Sequence, residues 1–232
     1  MEKLTRVITL PVSQYQATIK EGDGYAEKLL FENQDKIHLA FPGFWSHLTE
    51  KLGEKTKPSA EDILNLTLPD QHVLAIEIFK LSYGNILKLT NKCGKCGKPA
   101  DYDVDLNKLE MLPVPDGSIP PDPVSKLKLP RSKLNITIGY IRGFQELEEQ
   151  SADSFDPNRF DMKNVRSIEG KDKVSYEEII ALPLLDHKVI RETVKARECG
   201  YVTEVTFKHG CGNQITQNIL TDPSFLMPGF AG

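Results

Sequence analysis

The stretch Cys93-Gly94-Lys95-Cys96-Gly97 limits the folds open to this chain more than any other. Two thiolates three positions apart can grip one ion, because the residues between them turn the backbone until both sulfurs converge. Such a pair is half of a tetrahedral site, so two further ligands must come from elsewhere. The other cysteines are Cys199 and Cys211, with His209 beside the latter. The pattern therefore predicts a split zinc site, holding one structural ion, that ties the middle of the chain to its C-terminal part. Cys93, Cys96 and Cys211 are the primary ligands. The fourth is either Cys199 or His209: Cys199 lies at a predicted helix end, and His209 is separated from Cys211 by a single residue, tighter than a usual knuckle. A competing reading makes the cysteines small buried apolar residues. A redox pair would need a helix N-terminus after Cys93 and Cys96 to lower a thiol pKa, and no helix signature follows them despite Lys95 and Lys98.

Length and charge narrow the classes further. The 232 residues hold one large domain or two small ones, with 39% hydrophobic residues for a core and 27% charged. A net charge of -4 supplies no overall basic field for nucleic acid or an anionic membrane. No apolar run reaches the roughly 18 residues of a membrane-crossing helix, and Met1-Glu2-Lys3-Leu4-Thr5-Arg6 has no apolar core of a secretory signal. The expectation is synthesis in the cytosol, where a tight cysteine pair reads as metal ligands rather than a disulfide.

Periodicity sketches an α+β chain of small mixed sheets and helices. Thr5 to Leu10 and Tyr15 to Ile19 read as a hairpin or sheet edge or, because of Pro11, as an extended arm lying on a partner, and Ala26 to Phe31 as a short helix. A second helix is expected to open at Pro42-Gly43 and run through Phe44, Trp45, Leu48 and Leu52 to Gly53. Ser59 with Asp62, and Ser175 with Glu178, match capping boxes. Pro69-Asp70 opens the clearest helix, Gln71 to Tyr83, which is apolar on more than one face and stops at Gly84. Strands are expected at 86–90, around Tyr102, Val104 and Leu106, at 134–140, and over 201–207, with a return near Ile215 and Ile219. A helix starts near Asp186 and stops at Gly200. Phe155 and Phe160 stand in a polar stretch, as packing residues or partner anchors. Six prolines between Leu112 and Pro130 mark a stiff linker or strap. The expected organisation is an N-terminal α/β region over 1–111 with the first knuckle, the strap over 112–130, and a C-terminal α/β region over 131–232 with the second half of the metal site.

The order of these features resembles the baseplate hub subunit family of T-even-type contractile-tailed phages. The resemblance is carried by the strand region near Leu10-Pro11 and the helix end Ile78-Phe79-Lys80-Leu81-Ser82-Tyr83-Gly84. It continues through Cys93-Gly94-Lys95-Cys96-Gly97, Asp103-Val104-Asp105-Leu106-Asn107-Lys108-Leu109, the proline-rich segment, the strand near Leu134 to Ile141, and Cys211-Gly212 followed by Phe225. It implies a non-enzymatic subunit of the tail baseplate, made in the host cytoplasm, whose partners are other baseplate or tail-hub proteins, with no membrane or small-molecule substrate. In that family the C-terminal metal feature looks like Cys-x-x-Cys-Gly. Here Lys208 stands where the first cysteine is expected, so Cys199 or His209 must compensate for the site to be complete.

The residues also bear on two other function classes. A nucleic-acid-binding zinc ribbon would use Lys88, Lys92, Lys95 and Lys98, with Tyr102 stacking on a base; Asp101, Asp103 and Asp105 place negative charge beside that path. An enzyme would need a carboxylate pair, a nucleophile elbow or a phosphate-binding glycine loop, and none is evident. Glu177-Glu178 reads as a solvated helix start, and His38, His47, His72 and His187 as isolated surface or packing residues.

Overall fold

The computed structural model describes residues 3–32, 37–115, 118–150 and 156–226. The N-terminal half opens with strands β1 (Thr5–Thr9) and β2 (Gln16–Lys20), then helices α1 (Gly24–Phe31) and α2 (Ile37–His47), strands β3 (Thr49–Leu52) and β4 (Lys55–Thr56), and helices α3 (Ala60–Leu64) and α4 (Leu68–Tyr83). The hairpin β5 (Ile86–Lys92) and β6 (Pro99–Asp105) follows, ending in a 3-10 turn at Leu106–Lys108 and the short strand β7 (Met111–Leu112). The C-terminal half has strands β8 (Ser125–Lys128) and β9 (Asn135–Ile138), helices α5 (Gly143–Gln150) and α6 (Pro157–Asn164), strand β10 (Val165–Ile168), and helices α7 (Tyr176–Ile180) and α8 (Leu184–Lys195). It closes with β11 (Gly200–Tyr201), the hairpin β12 (Glu204–Lys208) and β13 (Gln214–Asn218), a 3-10 turn at Ile219–Thr221, and α9 (Pro223–Leu226). The fold is α+β with small separate sheets, as the periodicity predicts.

The two halves repeat one plan. In each, a hairpin turns at Leu-Pro-x-Ser: Leu10 N–H donates to Tyr15 O at 2.9 Å, and Leu129 N–H to Leu134 O at 2.8 Å. The fifth residue of each turn is left-handed, Gln14 at φ 60° and Lys133 at φ 65°. A carboxylate near the start of the long helix closes each turn. Asp70 accepts from the N–H groups of Val12 and Ser13 at 2.8 and 3.0 Å, and Asp186 from those of Arg131 and Ser132, both at 2.8 Å. The strand pairings also correspond. β2 pairs antiparallel with β3, and β9 with β10, each with a one-residue irregularity at the same place. Both capping boxes form, Ser59 with Asp62 and Ser175 with Glu178, and both carry a lysine clamp, Lys55–Asp62 at 2.7 Å and Lys171–Glu178 at 2.8 Å.

Three cores result. Leu10, Ala17, Ile19, Ile63 and Leu74 pack in the first half, and their counterparts Leu129, Ile136, Ile138, Ile179 and Ile190 in the second. The third core joins Ala75, Ile76 and Phe79 of α4 to the β5–β6 hairpin through Leu87, Leu89 and Val104, and to the β12–β13 hairpin and the turn after it through Val205, Phe207 and Ile219, with Phe225 of α9 stacked on Phe79 at 5.0 Å. That third contact is why α4 is apolar on more than one face.

Several expectations need correction. The helix predicted from Pro42 starts at Ile37 with Pro42 inside it, and its predicted last turn is β3, because Leu52 pairs with Ala17 and Thr49 with Ile19 of β2. Leu48 and Leu52 share a helical spacing, yet pairing with a strand distant in sequence decides their conformation. The 201–207 strand is broken at Val202–Thr203 into β11, which pairs with β7, and β12. Residues 125–128, at the end of the proline-rich segment, form a sheet strand. Phe160 lies in α6 and is half-buried, while Phe155 lies outside the described residues.

Candidate metal centre

Two hairpins converge on the candidate site. In the first, β5 pairs with β6 up to Lys92 opposite Pro99. Cys93 N–H then donates to Lys98 O at 3.0 Å and Gly97 N–H to Cys93 O at 2.8 Å, which folds the knuckle tightly. In the second, β12 pairs with β13 up to Lys208 opposite Gln214, His209 N–H donates to Asn213 O at 2.8 Å, and Gly212 N–H to His209 O at 2.8 Å. Both loops close through a left-handed glycine, Gly97 at φ 69° and Gly212 at φ 83°, a conformation that side-chain-bearing residues adopt at a cost. The loops are therefore the same device with different lengths. His209 begins its loop where Cys93 begins the other, and Cys211 precedes its glycine as Cys96 does. The second loop is one residue shorter, which moves the first donor from position 208 to position 209.

Cys93, Cys96, His209 and Cys211 bring their donor atoms within 4.8 Å of one another. Cys93 Sγ lies 3.6 Å from Cys211 Sγ, Cys96 Sγ 3.6 Å from His209 Nδ1, and His209 Nδ1 3.1 Å from Cys211 Sγ. Donor–donor edges around a tetrahedral ion with such ligands are about 3.4–3.8 Å; the two 3.6 Å separations fall in that range, the 3.1 Å one is shorter, and the group as a whole spans up to 4.8 Å, so the four side chains could hold a metal ion. Asn213 Nδ2 donates to Cys93 Sγ at 3.6 Å, a supporting contact outside the donor set. Beneath the loops, Tyr102 and Phe207 stack across the two hairpins with centroids 4.3 Å apart.

Electrostatics prepares the sulfurs unequally. The Cys96 N–H, helped by that of Lys95 and by neighbouring thiols, lowers the Cys93 pKa to about 6 despite its burial. The Lys98 N–H favours the Cys96 thiolate, but desolvation and the Cys93 and Cys211 sulfurs together raise its pKa. A cluster of thiols that resist joint ionisation is what a divalent cation relieves. Cys93 is buried, whereas Cys96 and Cys211 reach the surface.

The remaining candidate, Cys199, is elsewhere. Its Sγ donates to Tyr140 Oη at 3.4 Å, and burial raises its pKa. His47 contacts Asp23 at 3.1 Å, and His187 contacts the buried Asp161 at 2.7 Å with Arg191 on the same carboxylate. Neither belongs to the four-donor group. The lysines near the first knuckle share an exposed face with the acids: Lys88 stands opposite Asp103, and Thr90 Oγ1 donates to Asp101 at 2.9 Å. That face is charge-balanced rather than basic.

Fold and site together define a class: an α+β protein built from two like halves, whose paired ribbon loops bring together four side chains that could hold a metal ion. The chain belongs to the T4 bacteriophage base plate protein family, whose model matches residues 45–214 and so covers all four donors. No curated protein and no solved structure matches it significantly. Membership makes it a structural protein of the virion tail baseplate that contacts other baseplate components. Among the described residues, no helix is long and apolar enough to cross a membrane.

Proposed function

We propose that the chain is a structural or assembly subunit of the baseplate hub, held in shape by one zinc ion on Cys93, Cys96, His209 and Cys211. The observation that carries the metal reading is the convergence of these four donors within 4.8 Å from loops on opposite halves of the chain. A sulfur-rich tetrahedral set favours zinc. With all four positions supplied by protein, no coordination place remains for a substrate, which supports a clip and a non-enzymatic role. Each ribbon is only two strands wide, too thin to bury an apolar layer alone, so ion binding and folding of this lobe are coupled. On this reading 1–111 and 131–232 are two regions joined by the 112–130 segment, whose last residues, 125–129, enter the sheet and core of the second, and the chain is synthesised in the host cytoplasm and incorporated into the tail.

Native mass spectrometry of the reduced, purified chain tests the clip. One zinc is expected in the wild type and in Cys199→Ser, and loss of it in Cys93→Ser and His209→Ala. A metal-free wild type, or zinc retained by Cys93→Ser, overturns the assignment. Crosslinking within assembled baseplates tests the hub role: crosslinks to central subunits are expected, and crosslinks only to peripheral ones would refute it.

A further inference from the structure

The internal repeat shows which surfaces of one half are covered by the other, and hence which equivalent surfaces are left open. In the first half, the start of α4 is capped by the second half. Leu68 N–H donates to Ile141 O at 2.9 Å, Gly143 N–H to Leu66 O at 3.2 Å, and Thr67 bridges Arg142. Gly200 lies so close to Pro69 that a Cβ there would stand 3.4 Å from its side chain. The same place in the second half is the start of α8, where Leu184 and Leu185 replace Leu68 and Pro69. They are 87% and 51% exposed.

The covering elements have open counterparts too. Ile141–Gly143 corresponds to Gly22–Gly24 at the start of α1, and Gly200 to Gly84. A Cβ on Gly84 would meet nothing within 4 Å, and Tyr25, Tyr83 and Ile86 beside these positions are exposed. Among the described residues, the chain thus carries one uncovered receiving surface, at the start of α8, and one uncovered covering surface, at 22–25 and 83–86, each with exposed apolar side chains.

We propose that two copies of this chain associate head to tail, the start of α8 in one taking up residues 22–25 and 83–86 of the next. This is a heterologous contact, in which different patches meet and each new copy offers another open end. The first bond within α8 runs from Asp186 N–H to Pro183 O at 2.8 Å, so the N–H of Leu184 precedes the helix's own ladder and would donate to Gly22 O as Leu68 N–H donates to Ile141 O. Two differences limit how far the internal interface is copied. Asp23 stands in place of Arg142 but turns inward onto Lys3 and His47. Arg191, Glu192 and Lys195 stand where α4 has Ala75, Ile76 and Phe79, so α8 offers no second seat for a metal lobe. The contact rests on the exposed apolar groups and the helix-start donors. It goes beyond the hub reading and requires no particular metal.

Sedimentation of the full, metal-loaded chain tests it with two variants at exposed positions, Leu184→Asp at the receiving end and Ile86→Asp at the covering end. The wild type should show a mean mass rising with concentration above 26.1 kDa. Each variant alone should stay monomeric, and an equimolar mixture should form a dimer and stop, because each partner retains one working end. A wild type that stays monomeric at every concentration overturns the proposal, as does a mixture that stays monomeric while the wild type associates. Capture of a different baseplate protein on the Leu184 surface of a monomeric wild type also overturns it. Metal content measured on the same samples separates this result from failure of the zinc site.

Discussion

The halves follow one plan and use it differently. The first buries α4 on two sides, against its own sheet and against the paired ribbons. The second buries α8 on one side only and turns Arg191, Glu192 and Lys195 elsewhere. Arg191 then serves a network of its own, donating to the fully buried Asp161 at 3.0 and 2.7 Å alongside His187. A repeated unit therefore keeps the contacts that close its own hairpin, and diverges wherever one copy must carry the neighbouring lobe.

The comparison sharpens if equivalent residues are changed in pairs. Ile63 and Ile179 are both fully buried, and replacement of either by alanine is expected to cost about 3 kcal/mol in chemical denaturation. Unequal losses would mean that the cores are not equivalent units. The turn-closing acids should separate the halves. Burial opposes ionisation of both, but at Asp186 the Arg131 and Ser132 donors prevail and the pKa is lowered, whereas at Asp70 burial prevails and it is raised.

Ionised Asp186 thus adds stability above the unfolded carboxylate pKa of about 3.9, and this is lost as pH falls through its lower folded value. Ionising Asp70 in the folded chain instead costs stability as pH rises through its raised value. Asp186→Asn should cost about 2 kcal/mol near neutrality, shrinking in acid, while the cost of Asp70→Asn should shrink as pH rises. Parallel pH slopes for the two variants would break this contrast. The smallest effect belongs to the caps: Ser59→Ala and Ser175→Ala should each cost about 1 kcal/mol and differ little in thermal unfolding.

What the sequence made legible was mostly local. Both capping boxes, the glycine after Tyr83 and the Cys93 knuckle depend on a few consecutive residues, and each forms. The end of α2 and the strand identity of Thr49–Leu52 depend on pairing with β2, which periodicity does not see. The internal repeat is hidden in the sequence because little beyond Leu-Pro-x-Ser, the turn-closing aspartate and the Ser-led helix starts is shared by both halves. The place of His209 became readable only with the β12–β13 register, because a loop shortened by one residue disguises the correspondence with Cys93.

The wide separation of the paired loops bears on synthesis. Cys93 and Cys211 meet across 118 positions of chain. The entropy of closing so long a loop grows only slowly with length, so distance itself is a modest obstacle. Order of emergence matters more: the first knuckle leaves the ribosome with two donors and waits for the other two. On the zinc reading, full coordination coincides with translation of nearly the whole repeat, and a chain cut short before His209 would be left with a half-filled site that sets it apart from finished subunits.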